Sequence, residues 1–292
     1  MNGLVLIDKP SGCTSHDMVN RWRKLAGTKR VGHLGTLDPM ATGLLLLVTG
    51  TGTRLAPFFE KDQKTYDAEI TLGLVSDTYD VEGQIVATGL PIPDRQTIES
   101  ALGRFQGRFL QLPPSVSAKK IKGVPAYKLA RKNVEFELKP VEVEVQKLDV
   151  QSISREQIQL TITCGAGTYI RSIAHDLGNL LGCGGVLSRL RRTAVGDMRV
   201  EAAKTIEELT YLSEKNRLWE AVIPLGEMLP HLPAVYVNLQ TEAQIRQGRD
   251  FRTSPFVVRP GAPTVRALSR SGELIAIGEM RLPNIYHPDT VF

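Results

Sequence analysis

The residues best suited to chemistry lie in one glycine-rich segment, VGHLGTLDPMATGLLL, which runs from Val31 to Leu46. Within it, Asp38 precedes a proline, so its backbone is biased away from the helix towards an extended or turn conformation. The glycines permit the close approach of another backbone or of a ligand. A carboxylate held in such a loop can act as a nucleophile when its surroundings fix it. Alternatively, Asp38 caps the turn before Ala41, and the pattern by itself leaves both interpretations open.

The elements that would position this loop are strands and helices in irregular order. The pattern predicts strands for GLVLIDK, for residues 41–48 and 65–74, and for residues 141–150 and 158–164. It predicts helices from Thr14, as the N-terminal cap, to about Ala26, and over residues 95–103 and 168–181. A loop that carries Gly32 and Gly35 is predicted between the first helix and the strand at 41–48. Strands and helices without a regular βαβ repeat predict an α+β fold.

The end of the chain has a different composition. Prolines and a glycine punctuate residues 224–233, and short strand-like runs such as TVRALS and ELIAIGEM follow, separated by glycine and proline turns. This pattern predicts a small β-barrel of about sixty residues. We therefore predict two domains, residues 1–228 and residues 229–292.

The charge distribution suggests a polyanionic partner. The 292-residue chain has a net charge of +5 and contains three clusters of basic residues without acidic ones: residues 21–30, residues 119–132, and Arg189 with Arg191 and Arg192. Each cluster taken alone is more often a solvated face. Three such clusters in one chain favour phosphate contacts, so we predict a nucleic acid as the partner.

Several other classes of protein are disfavoured. The longest apolar run, Leu44–Val48, is far shorter than a membrane span, and the run before Asp8 is too short for a secretory signal, so we expect a cytoplasmic protein without membrane contact. The cysteines, Cys13, Cys164 and Cys183, form no CxxC pair, and no HExxH motif occurs. Neither a disulfide framework nor a metal site is expected. No long amphipathic seam stands out, so we expect a monomer.

The segment around Asp38, GHLGTLDPMATGLLLLVTGTGTRL, resembles the signature of the TruB family, the pseudouridine synthases that modify uridine 55 in the T-loop of tRNA. Four further segments resemble the family's motifs in the family's order, so that the five cover most of residues 3–196. They are similar to its opening motif, its tyrosine-bearing strand, its tRNA-gripping insertion and its arginine-bearing strand and helix: GLVLIDKPSGCTSHDMVNRWR, KTYDAEITLGLVSDTYDVEGQI, QLPPSVSAKKIKGVPAYKLARKN and CGAGTYIRSIAHDLGNLLGCGGVLSRLRRTAVG. The resemblance implies a pseudouridine-synthase catalytic domain with a mixed, largely antiparallel sheet flanked by helices. It also implies a reaction without a cofactor.

The resemblance implies a role for individual positions. Asp38 matches the catalytic aspartate, Tyr66 the tyrosine that stacks on the base and is thought to act as general base, and Arg171 the arginine that pairs with the aspartate. Substrate-binding positions follow at His33, Asp80, Tyr169, Leu190 and Lys9, and, in the insertion at about 111–135, at Lys119, Lys120 and Lys122. Without the resemblance, a tyrosine in an alternating strand is usually a core residue, and an arginine usually pairs with a surface carboxylate.

The C-terminal segments TEAQIRQGRDF, GELIAIGEM and HPDTVF resemble the short PUA-like domain that ends many bacterial members of the family. That resemblance implies contact with the tRNA acceptor stem. Two other functions stay open at this point. One is an RNA-binding or RNA-folding protein whose catalysis is dispensable, and the other is a guide-RNA-dependent enzyme that modifies ribosomal RNA.

Overall fold

The structure is a computed structural model that describes residues 1–117, 136, 138–254 and 261–292, with the backbone alone at 120–121 and 124–125. The side chains of Lys119, Lys120 and Lys122, which are predicted to bind substrate, lie outside the described residues. The insertion predicted at about 111–135 is therefore described only in part.

The three helices and five strands predicted for residues 1–181 are present, and the structure has further elements that the pattern did not predict. Along the described part of the chain the α-helices are α1 (Ser15–Ala26), α2 (Arg95–Leu102), α3 (Ile170–Leu181), α4 (Ile206–Glu214) and α5 (Leu239–Arg246). The strands are β1 (Gly3–Lys9), β2 (Val31–Leu34), β3 (Thr42–Thr49), β4 (Lys64–Leu72), β5 (Leu74–Ser76), β6 (Ile85–Ala87), β7 (Gly107–Gln111), β8 (Lys120–Ile121), β9 (Val124–Pro125), β10 (Val141–Ile153), β11 (Gln157–Cys164), β12 (Gly185–Val195), β13 (Met198–Arg199), β14 (Ile223–Pro224), β15 (Ala234–Tyr236), β16 (Phe251–Arg252), β17 (Thr264–Leu268), β18 (Leu274–Leu282) and β19 (Ile285–Val291).

Two predictions for the segment before Asp38 have different outcomes. The predicted cap of α1 is confirmed, because Thr14 and Asp17 form a reciprocal capping box, and Gly27 ends the helix in the left-handed conformation. The predicted loop at Gly32 is wrong, however. Residues 31–34 form β2, which pairs antiparallel with β3. The prediction failed because a four-residue strand that contains glycine and histidine carries too little alternation to be seen.

The large sheet is mixed and mostly antiparallel, as the family resemblance implies. Among the described residues it has ten strands, in the order β14-β1-β3-β12-β4-β11-β10-β7, with β2 on β3 and β13 on β12. The pair β3–β12 is parallel, and the other pairs are antiparallel. Strands β3, β12 and β4 are therefore neighbours although they are far apart in the chain. This arrangement brings the segment after Asp38, the arginine cluster of β12 and Tyr66 of β4 into one region.

The two faces of the sheet are covered by different layers. On one face, Val19 and Trp22 of α1 and Ile173 and Leu177 of α3 share a core with residues such as Leu45 of β3. On the other face, the alternate residues of β1 and β3 pack against the C-terminal sheet. Both faces of β1 and β3 are buried, which explains why these strands read as continuous apolar runs.

The C-terminal part is a curled half-barrel, which agrees in part with the small β-barrel predicted from the sequence. Its five described strands lie in the order β15-β17-β18-β19-β16, so β15 and β16 are at opposite edges. Leu268, Leu274 and Ile277 from this sheet join the core formed with β1 and β3. The sheet therefore buries part of its apolar surface against the large sheet, and strand patterns cannot distinguish this from burial inside a closed barrel.

Candidate active site

A cavity of about 450 Å³ is lined by residues of strands β2, β4 and β12. Its lining includes the segment from His33 to Asp38, the short 3₁₀ segment around Phe59, and the turn that leads into α3. Tyr66 of β4 and Leu190 of β12 complete the wall between them. A cavity of this volume, with a few polar groups directed at one point, is typical of small-molecule and nucleotide sites.

Asp38 lies on the loop between β2 and β3, and its carboxylate faces Arg171. The Arg171 Nε lies 2.9 Å from the Oδ2 of Asp38, and Nη2 donates a hydrogen bond to Oδ1 at 3.1 Å. The amide of Ala41 donates to the backbone oxygen of Asp38. The backbone thus forms the turn, while the carboxylate is directed at the arginine. One hydrogen bond and one close charge contact thus join the guanidinium to the carboxylate.

Four neighbouring groups hold the Asp38 loop from outside the cavity. The hydroxyl of Ser15, at the start of α1, accepts a hydrogen bond from the amide of Leu37 at 2.8 Å. Ser11 donates to the carbonyl of Met40, and the amide of Gly12 donates to the carbonyl of Pro39. The ammonium group of Lys9 donates to the same Pro39 carbonyl at 3.2 Å. Strand β1 and helix α1 therefore fix the position of the aspartate.

Lys9 is predicted from the sequence to contact substrate, and in the structure its ammonium group is surrounded by backbone carbonyls. It is fully buried, and its Nζ donates to the carbonyls of Pro10 and Cys13 as well as that of Pro39. It does not contribute to the described lining of the cavity. Burial lowers the pKa of Lys9, partly offset by nearby acidic groups. The geometry makes Lys9 a support of the loop.

Arg171 connects three segments of the chain. It is almost fully buried, at 4% exposure, and its Nη1 lies 3.4 Å from the Oδ2 of Asp80 and donates to the carbonyl of Thr78. Its Nη2 also donates to the carbonyl of Val116 at 3.0 Å, at the start of the insertion. One guanidinium therefore joins Asp38 to the turn that carries Asp80 and to the base of the insertion.

Asp80 is held as firmly as Arg171. Thr78 donates its hydroxyl to the Oδ1 of Asp80 at 2.5 Å, and the amide of Glu82 donates to the same oxygen at 3.0 Å. Asp80 is buried below the cavity and does not contribute to its described lining. Its carboxylate is thus placed to orient Arg171 in this structure.

Burial and charge act in opposite directions on Asp38. The surrounding protein raises the pKa of the Asp38 carboxyl, and the negative charge of Asp80 raises it further. The guanidinium of Arg171 opposes this rise and favours the ionised form. The carboxylate therefore depends on Arg171 for its charge as well as for its orientation.

Tyr66 lines the same cavity as the Asp38 loop. Burial raises the pKa of its phenol, and the positive charge of Arg192 opposes that rise. Arg192 is 1% exposed and is the direct cross-strand neighbour of Tyr66 between β12 and β4. Arg192 also lines the cavity.

The third basic cluster of the sequence is therefore divided between two faces of one strand. Arg191 forms a two-pronged ion pair with Asp8, at 2.7 and 3.0 Å, whereas Arg192 is buried beside Tyr66. Successive residues of a strand point to opposite faces of the sheet. The interpretation of the cluster as one phosphate-binding surface is wrong for Arg192.

The remaining predicted residues lie in or at the edge of the cavity. His33, Tyr169 and Leu190 all line it. Burial lowers the pKa of His33, and its Nδ1 has no hydrogen-bond partner among the described residues. The backbone of Tyr169 is held by Gln111, whose side chain donates to the Tyr169 carbonyl at 3.0 Å and accepts from its amide at 2.8 Å.

Three residues near the cavity were not predicted from the sequence to belong to the site: Arg192, Lys64 and Gln111. Lys64 lines the cavity and is buried, and its ammonium donates to the Asp62 carbonyl at 2.5 Å. Gln111 is fully buried and supports the start of α3, where Tyr169 is the N-cap without a side-chain bond of its own. The one feature of the sequence that could have indicated them is their position at or next to the motifs named above.

Within the described ranges, no cluster of three or more His, Cys, Asp or Glu side chains could hold a metal ion. In the same part of the chain no helix is long and apolar enough to cross a membrane.

Comparison with known proteins identifies the class and then the family. The chain has the fold of a pseudouridine synthase: residues 23–170 match the model of the TruB family pseudouridylate synthase N-terminal domain. Residues 171–230 match the tRNA pseudouridylate synthase B C-terminal domain. The first match alone covers half of the chain, and the chain belongs to the TruB family.

Curated relatives support the same assignment over the whole length. The chain is 48% identical to tRNA pseudouridine synthase B of Solibacter usitatus over 292 residues, which is all of both chains. It is 38% identical to the protein of the same name from Geobacter sulfurreducens, over 99% of this chain and 97% of the relative. The identity to the Aquifex aeolicus protein of that name is 39%, over 85% of this chain and 86% of the relative.

Solved structures show the same fold. A chain of an H/ACA ribonucleoprotein bound to a substrate RNA that contains 2′-deoxyuridine matches with a TM-score of 0.71 at 22% identity, over 99% of this chain and 84% of that one. A chain of a Cbf5–Nop10–Gar1 complex matches with the same TM-score at 25% identity and the same coverage. At these identities the likeness concerns the fold.

Proposed function

We propose that the cavity around Asp38 is where this tRNA pseudouridine synthase isomerises uridine 55 of the T-loop to pseudouridine. Membership of the family supplies the reaction and the tRNA substrate. The observation that carries the site assignment is the pair of Asp38 and Arg171 in a cavity of about 450 Å³.

The reaction needs no external atom or electron. The bond between N1 of the uracil and C1′ of the ribose breaks, and a bond between C5 and C1′ forms. C5 loses a proton, and N1 ends with a proton. The protein must therefore supply a group that holds the detached base or sugar, and a group that moves protons.

Asp38 is the proposed nucleophile. Its carboxylate attacks either C1′ of the ribose or C6 of the ring, and both covalent intermediates are compatible with a carboxylate in this position. Arg171 keeps the carboxylate ionised and oriented, and Asp80 orients Arg171 in turn. Lys9 takes the role of a support for the nucleophile loop rather than that of a substrate contact.

Tyr66 is proposed to stack on the flipped uracil and to accept the proton. The target base must leave the stack of the T-loop to enter the cavity, which costs a few kcal/mol of lost stacking. Contacts of the base with Tyr66 offset part of this cost. Leu190 and Tyr169 line the cavity and are proposed to contact the base as well. His33 lines the same cavity and is proposed to contact the rearranged T-loop.

The rest of the tRNA requires a larger surface than the cavity. We propose that residues 1–228 form the catalytic domain, in which the insertion at about 111–135 grips the tRNA through Lys119, Lys120 and Lys122. Residues 229–292 would form a PUA-like domain that contacts the acceptor stem. We also expect a cytoplasmic monomer that works without metal or cofactor, as predicted from the sequence.

The alternatives make different demands on the substrate. A guide-RNA-dependent enzyme needs a second RNA, whereas the proposed enzyme acts on bare tRNA. The test is incubation of the purified chain with an unmodified tRNA transcript and no other RNA, followed by mapping of pseudouridine. We expect modification at position 55, and none in a transcript that has cytidine there. Bound but unmodified tRNA would favour an RNA-binding protein with dispensable catalysis.

A further inference from the structure

Arg192 is buried without a carboxylate partner. Its Nε donates to the carbonyl of Leu44 at 2.7 Å, and its Nη2 donates to the carbonyl of Gly35 at 3.0 Å. Two neighbouring arginines do have carboxylate partners. Arg191, next to it in the chain, pairs with Asp8, and Arg171, in the same cavity, pairs with Asp38 and Asp80. Among the described residues, Arg192 forms no ion pair of this kind. A buried charge that lacks a counter-charge is costly, so it is retained where it has a use.

The backbone around Arg192 is built to fit it closely. In the parallel pairing of β12 with β3, Arg192 faces Gly43, where a Cβ atom would lie 2.3 Å from the Arg192 carbonyl oxygen. A Cβ atom at Gly35 would lie 3.3 Å from its Nη1. Two glycines of the nucleophile segment therefore leave room for the main chain and the guanidinium of Arg192. Glycines permit the close approach of other atoms, and here Arg192 is the residue that approaches them.

The guanidinium also lies against Tyr66. The two residues are cross-strand neighbours and both line the cavity. Burial raises the pKa of the Tyr66 phenol, and the positive charge of Arg192 opposes that rise. Of the charged groups that act on this phenol in the described chain, Asp38 on its loop and Cys164 on β11 raise its pKa. Arg192 acts in the opposite direction and favours the phenolate.

We propose that Arg192 is a positioning residue that ties the nucleophile loop to Tyr66 and holds a positive charge against the phenol oxygen. This inference rests on the proposed function, because it concerns the Tyr66 that accepts the proton there. The proton moves from the substrate carbon to the phenolate oxygen, which becomes a phenol. Arg192 stabilises the phenolate before that transfer and exchanges no proton itself.

A second use of a buried arginine is contact with a substrate phosphate. The 1% exposure of Arg192 argues against it, and its Nε and Nη2 already donate to the carbonyls of Leu44 and Gly35. The two uses predict different measurements. A phosphate contact affects tRNA affinity and its salt dependence, whereas a partner of Tyr66 affects the rate and its pH dependence.

The experiment compares the wild type with Arg192→Met, Arg192→Lys and the control Arg191→Met, which removes a positive charge from the other face of the same strand. The readouts are single-turnover tritium release from C5-labelled tRNA across pH, tRNA affinity at several salt concentrations, and thermal unfolding. We expect Arg192→Met to lower the rate at neutral pH about a hundredfold, with affinity within about threefold. The deficit should shrink as the pH rises, because hydroxide then supplies the phenolate that Arg192 no longer favours.

Two further variants make the test specific. Arg192→Lys keeps the charge, so we expect an intermediate rate and a smaller displacement of the alkaline limb. If Arg192→Met does not fold, the same readouts on Arg192→Lys decide. In the background of Tyr66→Phe, the change of Arg192 should cost less than about threefold, because the group through which it acts is gone.

Three results would overturn the inference while the wild type remains active: equal loss of rate at every pH, weaker binding with a flatter salt dependence, or a full loss that persists in the Tyr66→Phe background. A wild type that releases no tritium would instead overturn the proposed function itself. The two failures are therefore distinguishable.

Discussion

At the scale of single residues, the proposed chemistry depends on the carboxylate of Asp38, on whose pKa burial and nearby charges act in opposite directions. Burial and Asp80 raise the pKa of Asp38, and Arg171 opposes them. A nucleophilic carboxylate must be ionised, so the activity should fall as the pH drops through the pKa of Asp38 in the protein. The position of that acidic limb reports on Arg171.

Replacement of Arg171 by Met should therefore move the acidic limb of the rate to higher pH. The guanidinium lowers the pKa of Asp38, so its removal lets the pKa rise and leaves less carboxylate at a given pH. We expect the maximal rate to fall at least about a hundredfold as well, since the oriented pair is lost. The measurement is single-turnover tritium release between acidic and neutral pH.

Arg217→Met is the matched control, because Arg217 forms an exposed pair with Glu220. Its pH profile should match that of the wild type. An unchanged acidic limb in Arg171→Met would show that Asp38 does not depend on Arg171 for its charge.

Asp38, Tyr66 and Arg171 could be nominated from the sequence because each belongs to a distinct motif. Arg192 could not, since it stands beside Arg191 in a basic run, and a run does not show which member points to which face. That depends on what covers each side of β12, which is a property of the whole fold. The predicted substrate contact of Lys9 stays a prediction, and its motif does not reveal that its ammonium is directed at three carbonyls.

At the scale of elements, the parallel contact between β3 and β12 sets the geometry of the site. Gly43 has φ +99°, a conformation that side chains rarely adopt, and its missing Cβ makes room for the carbonyl of Arg192. The glycine is thus required both by its backbone angle and by its neighbour.

Gly43→Ala should lower the free energy of unfolding by about 3 kcal/mol or more, because conformational strain and a backbone clash add. The matched control is Gly27→Ala at the end of α1, where φ is +61° but nothing lies within 4 Å of the added atom. Strain alone predicts a loss of about 1 kcal/mol there. Urea unfolding of the two variants tests the difference, and equal losses would show that the clash with Arg192 is relieved at no cost.

Five of the ten described strands of the large sheet, β1, β3, β4, β10 and β11, could be predicted from their apolar patterns. Helix α1 could be predicted from its capping residues, as the box at Thr14 and Asp17 illustrates. The pairing between strands could not. Strand β12 joins β3 and β4 across more than a hundred residues, and local patterns do not encode such partners. The short strand β2 was missed because four residues are too few for a period to appear.

At the scale of the whole molecule, the C-terminal half-barrel and the large sheet share one core. Ile277 of β18 packs in the same cluster as Leu4 and Leu44 of the large sheet. Residues 171–195 contain most of α3 and all of β12, and β12 is a strand of the large sheet. The boundary between the two family models at residue 170 is therefore not a boundary of the fold. The predicted division into residues 1–228 and 229–292 stays a prediction, and the shared core contains residues from both parts.

Ile277→Ala should therefore destabilise the entire chain and not the C-terminal part alone. Loss of a fully buried isoleucine side chain costs about 2–4 kcal/mol, and a shared core predicts one cooperative transition. Met280→Ala on the same strand is the control, because Met280 is exposed and should change stability by less than about 1 kcal/mol. Thermal unfolding followed by circular dichroism and calorimetry provides the readout. Two separate transitions, with one of them unaffected by Ile277→Ala, would contradict the shared core.

The central claim is that Asp38 is the chemical nucleophile of a uridine isomerase. It is tested most directly by tritium release from C5-labelled uridine in an unmodified tRNA transcript, with the wild type and Asp38→Asn compared beside measurements of tRNA affinity. We predict release by the wild type and none by Asp38→Asn, with the affinity of the variant within about tenfold, because binding rests mainly on phosphate contacts. Release by Asp38→Asn at a rate near that of the wild type, or a loss of binding as large as the loss of activity, would contradict the assignment.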